Sequence, residues 1–187
     1  MQENLFEIKV KNDGTTNESR WLINYHGNEK LVEIPEGITG IACNAFSDCG
    51  NVEEIVVPKD VKSISKKAFC GCSGLKRIRF LTEDSIGFSE EVFQGIPSEL
   101  EIIYAGSSDN WKRSIKPHTV TSHSYDNGWG GSAPGLYTYE TTYYPMKHAL
   151  QENFICHVKC LADGVELLVN GEWRSGGIRE VSTPYDR

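Results

Sequence analysis

The segment LVEIPEGITGIACNAFSDCGNVEE (31–54) is followed at once by IVVPKDVKSISKKAFCGCSGLKR (55–77), and the two superimpose when Pro35 is set on Pro58. Ile34 then falls on Val57, Ile38 on Val61, Ile41 on Ile64, Ala45 on Ala68, Phe46 on Phe69, Cys49 on Cys72 and Val52 on Leu75, every offset being 23. A third, degraded copy occupies IRFLTEDSIGFSEEVFQGIPSELE (78–101), where Phe93 follows Phe69 by 24, Ile96 takes the cysteine position and Leu100 follows Leu75 by 25. No other property of the chain constrains the fold as strongly. One copy of such a unit cannot bury its own apolar side, so the copies must stack and share a core.

Each position has a physical reason. A short β-branched strand opens each unit and pairs with its equivalent in the next, and the chain returns through turns and a short helical segment. Pro35 and Pro58 end their strands because they lack the N–H that a ladder requires. Gly37 and Asp60 then suit the turn. Upstream, WLINYHGNEK (21–30) is a strand and turn entering the array. Downstream, a fourth strand is expected within Ile102–Ala105, and SSDNWKRSI closes the array.

The period of 23 lies in the leucine-rich-repeat range. The wording I-P-x-x-V-x-x-I-x-x-x-A-F-x-x-C-x-x-L over residues 21–115 resembles the BspA-like leucine-rich repeat family, and GSSDNWKRSI, with Trp111 and Ile115, resembles the segment that ends such arrays. The resemblance implies a leucine-rich-repeat solenoid, α/β and horseshoe-like, made mostly of short strands and turns, of about three and a half repeats. It also implies a bacterial setting, since the family is abundant in bacterial cell-surface and host-associated proteins. The expected organisation is an N-terminal cap (1–30), the array (31–116) and a small β-rich C-terminal extension (117–187).

Six cysteines stand at 43, 49, 70, 72, 156 and 160. A disulfide framework belongs to short secreted chains, and at 39% hydrophobic residues this chain needs no such staples. Cys49 and Cys72 share one repeat position and are expected as small buried side chains. Cys70 has Ser47 as its counterpart. A Cys-x-Cys with one member turned into the core makes a poor metal clip.

After Ile115 the composition changes. KPHTVTSHSYDNGWGGSAPGLYTYE reads as a linker or long surface loop, and PMKHALQEN starts a short helical turn at Pro145. In FICHVKCLADGVELLVNGEWR, Phe154, Cys156, Val158 and Cys160 alternate with Ile155, His157, Lys159 and Leu161. Asp163-Gly164 and Asn170-Gly171 are hairpin signals. The expectation is a three-stranded meander over 154–161, 165–169 and 172–174. Trp129, Tyr137, Tyr139, Tyr143, Tyr144 and Trp173 are read mainly as filling a small core.

The net charge of −7 excludes the basic footprint of a protein that binds duplex directly. No stretch approaches 18 apolar residues, so membrane insertion is not expected. Zinc at Cys156, His157 and Cys160 is disfavoured, because alternation turns the histidine away from the two thiols. No nucleophile stands in a recognisable elbow. HTVTSHSYD gathers Ser, His and Asp too locally for a triad and reads as a polar loop. NGWGGSAPG lacks the ending of a phosphate loop, and the sequon at Asn17 matters only on export. No catalytic residue, metal or cofactor is therefore expected.

What remains is recognition of another protein. In a solenoid one exposed position per strand is free to vary, and here that column is Glu33, Val56, Arg79 and either Ile103 or Tyr104. The first reading is a non-enzymatic protein–protein interaction module using this column and the C-terminal extension. Two alternatives stand beside it. One is a small acidic inhibitor, of phage or mobile-element type, blocking a basic nucleic-acid-binding enzyme. The other is an exported surface or adhesion protein. The start MQENLFEIKV has no secretory pattern, so a cytoplasmic protein is expected if Met1 is the natural start, and a cell-surface or extracellular one if the chain has been trimmed.

Overall fold

The computed structural model describes residues 5–12, 14, 18–47, 49–89, 91–116, 118–126, 135–143, 155–170 and 178–181; for 118–120, 122–126, 135–143, 170 and 178–181 it describes the backbone alone. In chain order the elements are β1 Phe6–Asn12, β2 Glu18–Tyr25, β3 Leu31–Glu33, β4 Gly40–Ile41, β5 Glu54–Val57, β6 Ser63–Ile64, β7 Arg77–Phe80, β8 Gly87–Phe88, β9 Glu99–Tyr104, α1 Ser108–Ile115, β10 His118–Asp126, β11 Gly135–Tyr143, β12 Ile155–Cys160, β13 Val165–Asn170 and β14 Ile178–Val181.

The repeats stack into two sheets that share one core. The longer sheet runs β14-β13-β12-β9-β7-β5-β3 and the shorter β1-β2-β4-β6-β8. Each repeat therefore gives one strand to each sheet. The second strand is two residues long and was not foreseen, because only Ile41, Ile64 and Phe88 mark it. The return segments at 43–47, 66–71 and 91–95 are turns rather than the short helix expected, and α1 is the one helix among the described residues.

The repeat positions are buried as their period requires. Ile34, Ile38, Ile41, Ala45, Phe46, Cys49 and Val52 belong to the core, as do their counterparts from Val57 to Leu75. An aromatic column runs along the stack, with ring centroids 5.1 Å apart for Phe6–Tyr25, 5.5 Å for Tyr25–Phe46, 5.7 Å for Phe46–Phe69 and 5.9 Å for Phe69–Phe93. Such spacing adds aromatic attraction to the area buried. Two residues before each repeat phenylalanine, Asn44, Lys67 and Glu91 adopt positive φ of 55°, 56° and 56°. The turn thus imposes a left-handed residue in every repeat, whatever side chain stands there.

The array closes on α1. Ser107 caps the helix by accepting a hydrogen bond from the Asn110 amide at 3.3 Å, and Trp111 and Ile115 are buried one turn apart. The Trp111 ring lies 5.8 Å from Phe80, 5.7 Å from Phe88 and 5.4 Å from Tyr104. SSDNWKRSI, expected to close the array, forms a capped helix against the last repeat.

Beyond α1 the chain departs from the sequence reading. HTVTSHSYD is not a loop: it forms β10, paired antiparallel with β11 from His118↔Tyr143 to Asp126↔Gly135. The Gly and Pro residues between the strands masked two flanking runs rich in Thr, Val and Tyr, the residues that favour strands. The chain then re-enters the long sheet. β12 pairs parallel with β9, Glu99↔Ile155 to Cys160↔Tyr104, as the strand of a further repeat would. β13 and β14 follow antiparallel. The expected hairpin at Asp163-Gly164 is present, with Gly164 at φ 69°, and the described third strand is Ile178–Val181. The expected strand at 172–174, the helical turn at Pro145, Phe154, Trp129, Tyr144 and Trp173, and the side chains of Tyr137, Tyr139 and Tyr143, lie outside the described residues.

Candidate functional site

Alternation along the long sheet turns every second side chain away from the core. On that outer face the register aligns two rows. One is Leu31, Glu54, Arg77, Glu101, His157 and Leu168, and the other is Glu33, Val56, Arg79, Ile103, Lys159 and Glu166. The second row contains the sequence-derived column. Glu33 and Arg79 are exposed, Val56 and Ile103 half-buried, and all four are neighbours across adjacent strands.

Tyr104 does not belong to this column. It is fully buried on the core side, and its hydroxyl donates towards the carbonyl oxygens of Glu83 at 3.0 Å and Asp84 at 2.7 Å. Burial pushes its phenol up to about 12. The physical reason for the correction is parity: in β9 the position after Ile103 points inward against Trp111.

The first row carries a charge network that the sequence reading missed. Arg77 donates through Nε to Glu101 at 2.6 Å and through a terminal nitrogen to Glu54 at 3.2 Å. Arg79 lies 3.8 Å from the other Glu54 oxygen, and Lys159 lies 3.3 Å from Glu101. The hydrogen bond from Arg77 holds the Glu101 carboxyl below the usual carboxylate range. At the edge of the face Glu53 bridges Lys30 and Lys76, each at 2.7 Å, and these partners bring its pKa down to about 2. The charge on this face is therefore largely committed internally. Arg79, treated from the sequence as a free contact, shares Glu54 with Arg77.

The apolar side chains of the face are not so committed. Among the described residues the exposed large hydrophobics are Val10, Leu31 at 51%, Leu81 at 41% and Leu161 at 63%. Three of these four belong to the outer face. Leu81 and Leu161 continue β7 and β12 by one residue, their amides bonding to the carbonyls of Val57 at 3.0 Å and Tyr104 at 2.8 Å. By alternation they form a third row with Ala105, beside Ile103 and Val56. The sequence carries this pattern as Arg79-x-Leu81 and Lys159-x-Leu161, where alternation puts the leucine on the face of the preceding cation.

Four of the six cysteines are buried. Cys49 and Cys72 are buried in consecutive repeats, and hydrogen bonding with the Cys49 thiol together with burial holds the Cys72 thiol far up. Burial does the same to Cys156 and brings Cys160 up to about 12. These are neutral thiols, the opposite of an activated nucleophile. Cys156 and Cys160 turn into the core while His157 is exposed on the other face. Among the described residues no group of three His, Cys, Asp or Glu could hold a metal ion, and no helix is long and apolar enough to cross a membrane.

Residues 22–114 match, in six copies, the family model described as BspA type leucine rich repeat region. Among solved structures the chain is similar to a leucine rich repeat protein of T. pallidum, at 20% identity and a TM-score of 0.38, over 55% of this chain and 63% of that one. It thus spans less than two thirds of that protein's length. No curated protein matches.

Proposed function

Residues 22–114 belong to the BspA-type leucine-rich repeats, and from that premise we propose that the chain is a protein-binding module whose recognition surface is the outer face of the long sheet. Repeats of this kind generally mediate protein–protein interaction. The observation that carries the reading is the concentration of exposed apolar side chains, Leu31, Leu81 and Leu161, on this one face, beside the half-buried Val56 and Ile103. Leu81 and Leu161, with Ile103 and Ala105 between their strands, form an apolar patch bordered by the charged rows, and Leu31 stands apart at the β3 edge. Such a patch is what a partner surface covers.

The mechanism is recognition without chemistry. The ladder holds the side chains at a strand spacing of roughly 4.8 Å, and the Arg77 network fixes the rotamers around them, so little is left to order on binding. Because Glu54 and Glu101 are already paired with cations of the same face, the contact is carried by apolar burial and responds weakly to salt. Recognition of a basic enzyme through this face would rest on Glu33 and Glu166, the carboxylates of these rows that have no ion pair among the described residues.

The test is capture of partners from the source organism's lysate with wild type and with Leu81→Ser/Leu161→Ser, both exposed positions whose loss leaves the core intact. A partner held by wild type in high and low salt and lost by the variant supports the reading. A partner retained by the variant removes this face from the function.

A further inference from the structure

On the other sheet, away from the proposed recognition face, a groove of about 620 Å³ lies where β8 meets the end of α1. Its size falls within the range of small-ligand sites. Its lining is unusual for an acidic chain. Four serines (Ser63, Ser85, Ser89 and Ser114) and two cations (Arg113 and Lys116) surround the backbone of β8.

All but one of these donors are without a partner among the described residues. Ser114 is buried and committed, accepting from the Ile86 amide at 2.7 Å and donating to the Asn110 carbonyl at 3.0 Å. The side chains of Ser63, Ser85 and Ser89 make no hydrogen bond among the described residues, and Arg113 and Lys116 are exposed and have no ion pair there. Asp84, the described carboxylate next to Ser85 in sequence, is held by Lys62 at 2.7 Å. Among the described residues β8 ends its sheet, and its outer backbone edge has no strand partner there. Elsewhere on the described surface most lysines and arginines near carboxylates are paired. Among the described residues no carboxylate pairs with Arg113 or Lys116, so the groove gathers positive charge and hydroxyl donors.

We propose that this groove is an oxyanion site that takes a phosphoryl group, with Arg113 and Lys116 supplying the charge and the serine hydroxyls completing the hydrogen bonds. A guanidinium fork pairs with carboxylate and phosphate alike, but a phosphoryl group carries three acceptor oxygens and up to two charges, more than a carboxylate can offer to two cations and several hydroxyls. The phosphoryl group has two chemical sources, a free phosphate or phosphate ester and a phosphorylated side chain, and the same donors would serve both.

The test is a titration followed by amide chemical shifts of the full chain, with inorganic phosphate, O-phosphoserine and acetate at matched ionic strength. Saturable shifts at Gly87, Ser89 and Ser114 with phosphate and not with acetate are expected, with a dissociation constant on the order of millimolar for so open a site. Arg113→Gln should weaken binding about fivefold, and Arg113→Gln/Lys116→Gln should abolish it. Tighter binding of O-phosphoserine would point to a phosphorylated side chain, and equal binding to free phosphate. Unchanged spectra with phosphate, equal shifts with acetate, or shifts that survive in the double variant would each overturn the proposal. Both substituted positions are exposed, and an unchanged amide spectrum of the variant shows that it has folded.

Discussion

The carboxylate of Asp163, in the turn between β12 and β13, accepts a hydrogen bond from the Ser108 amide at 2.7 Å, 55 residues away and in the first turn of α1. Its second oxygen accepts from the Val165 amide at 3.2 Å. One side chain therefore closes its own hairpin turn and caps the helix that ends the repeat array. Partial desolvation raises the pKa of the group, and the amide bonds from Ser108 and Val165 outweigh it, leaving the carboxyl below its ordinary value.

Replacing this cap should unlock the C-terminal strands from the array. Asp163→Ala is expected to lower stability by about 1 kcal/mol, the usual loss for a helix cap, with Asp163→Asn intermediate. Urea unfolding measures the loss, and hydrogen exchange at Ser108 locates it. Unchanged protection at Ser108 would show that the contact contributes nothing.

Lys67, like Glu91 and unlike Asn44, stands at φ 56° without the short polar side chain that can bond locally there. Lys67→Gly relieves the strain while adding chain entropy to the unfolded state, so a net gain of roughly 0.5 kcal/mol is expected. Lys67→Val, β-branched, should instead cost about 1 kcal/mol or more. Thermal midpoints of the two variants should move in opposite directions.

Gly74 is fixed by space rather than by dihedral. A Cβ there would come to 2.4 Å from the carbonyl oxygen of Gly50 and 3.3 Å from that of Val52, both backbone atoms of the preceding repeat. Gly74→Ala must push two repeats apart and is expected to cost about 1–3 kcal/mol, read as a lowered urea midpoint.

Acid should weaken the fold through its paired carboxylates. Glu53 at about 2, and Glu101, Asp84 and Asp163 in the same direction, all have depressed folded-state values. Depressed acids contribute stability that is present above the unfolded value, about 4, and is lost as pH falls through the folded one. Stability should therefore fall between about pH 4 and pH 2. Glu53→Gln should flatten that decline, and an unchanged pH profile in this variant would mean that the Lys30 and Lys76 bridges do not act in solution.

The thiols should separate by burial. Cys43 is exposed, Cys70 half-buried, and Cys49, Cys72, Cys156 and Cys160 buried. A thiol reagent at pH 8 should modify Cys43 first and reach the last four on unfolding. Rapid modification of Cys156 or Cys160 in the native protein would contradict the docking of β12 on β9.

The array was legible because its information is local and repeated. Pro35 over Pro58 sets the register, and the same register places Glu33, Val56 and Arg79 side by side across β3, β5 and β7. The repeat strands of the shorter sheet, β4, β6 and β8, are not legible because two residues leave no alternation to read. Tyr104 was misplaced by one position, and one position reverses a strand's faces. The exit from α1 was illegible for another reason. The pairing of β12 with β9 follows 56 residues of chain rather than 23, and nothing in ICHVKC names its partner.

That detour carries a thermodynamic message. Successive strands of the long sheet are 23, 23 and 24 residues apart, as Leu31, Glu54, Arg77 and Glu101 show, and then His157 takes the next place. Closing a loop of 56 residues instead of 23 raises the entropic cost by about 0.8 kcal/mol, since that cost grows with the logarithm of length. This is no more than one exposed ion pair contributes. The ladder is therefore indifferent to how much chain lies between its rungs, and the β10–β11 arm is a branch that the solenoid could gain, lose or exchange while its stack of strands kept the same order.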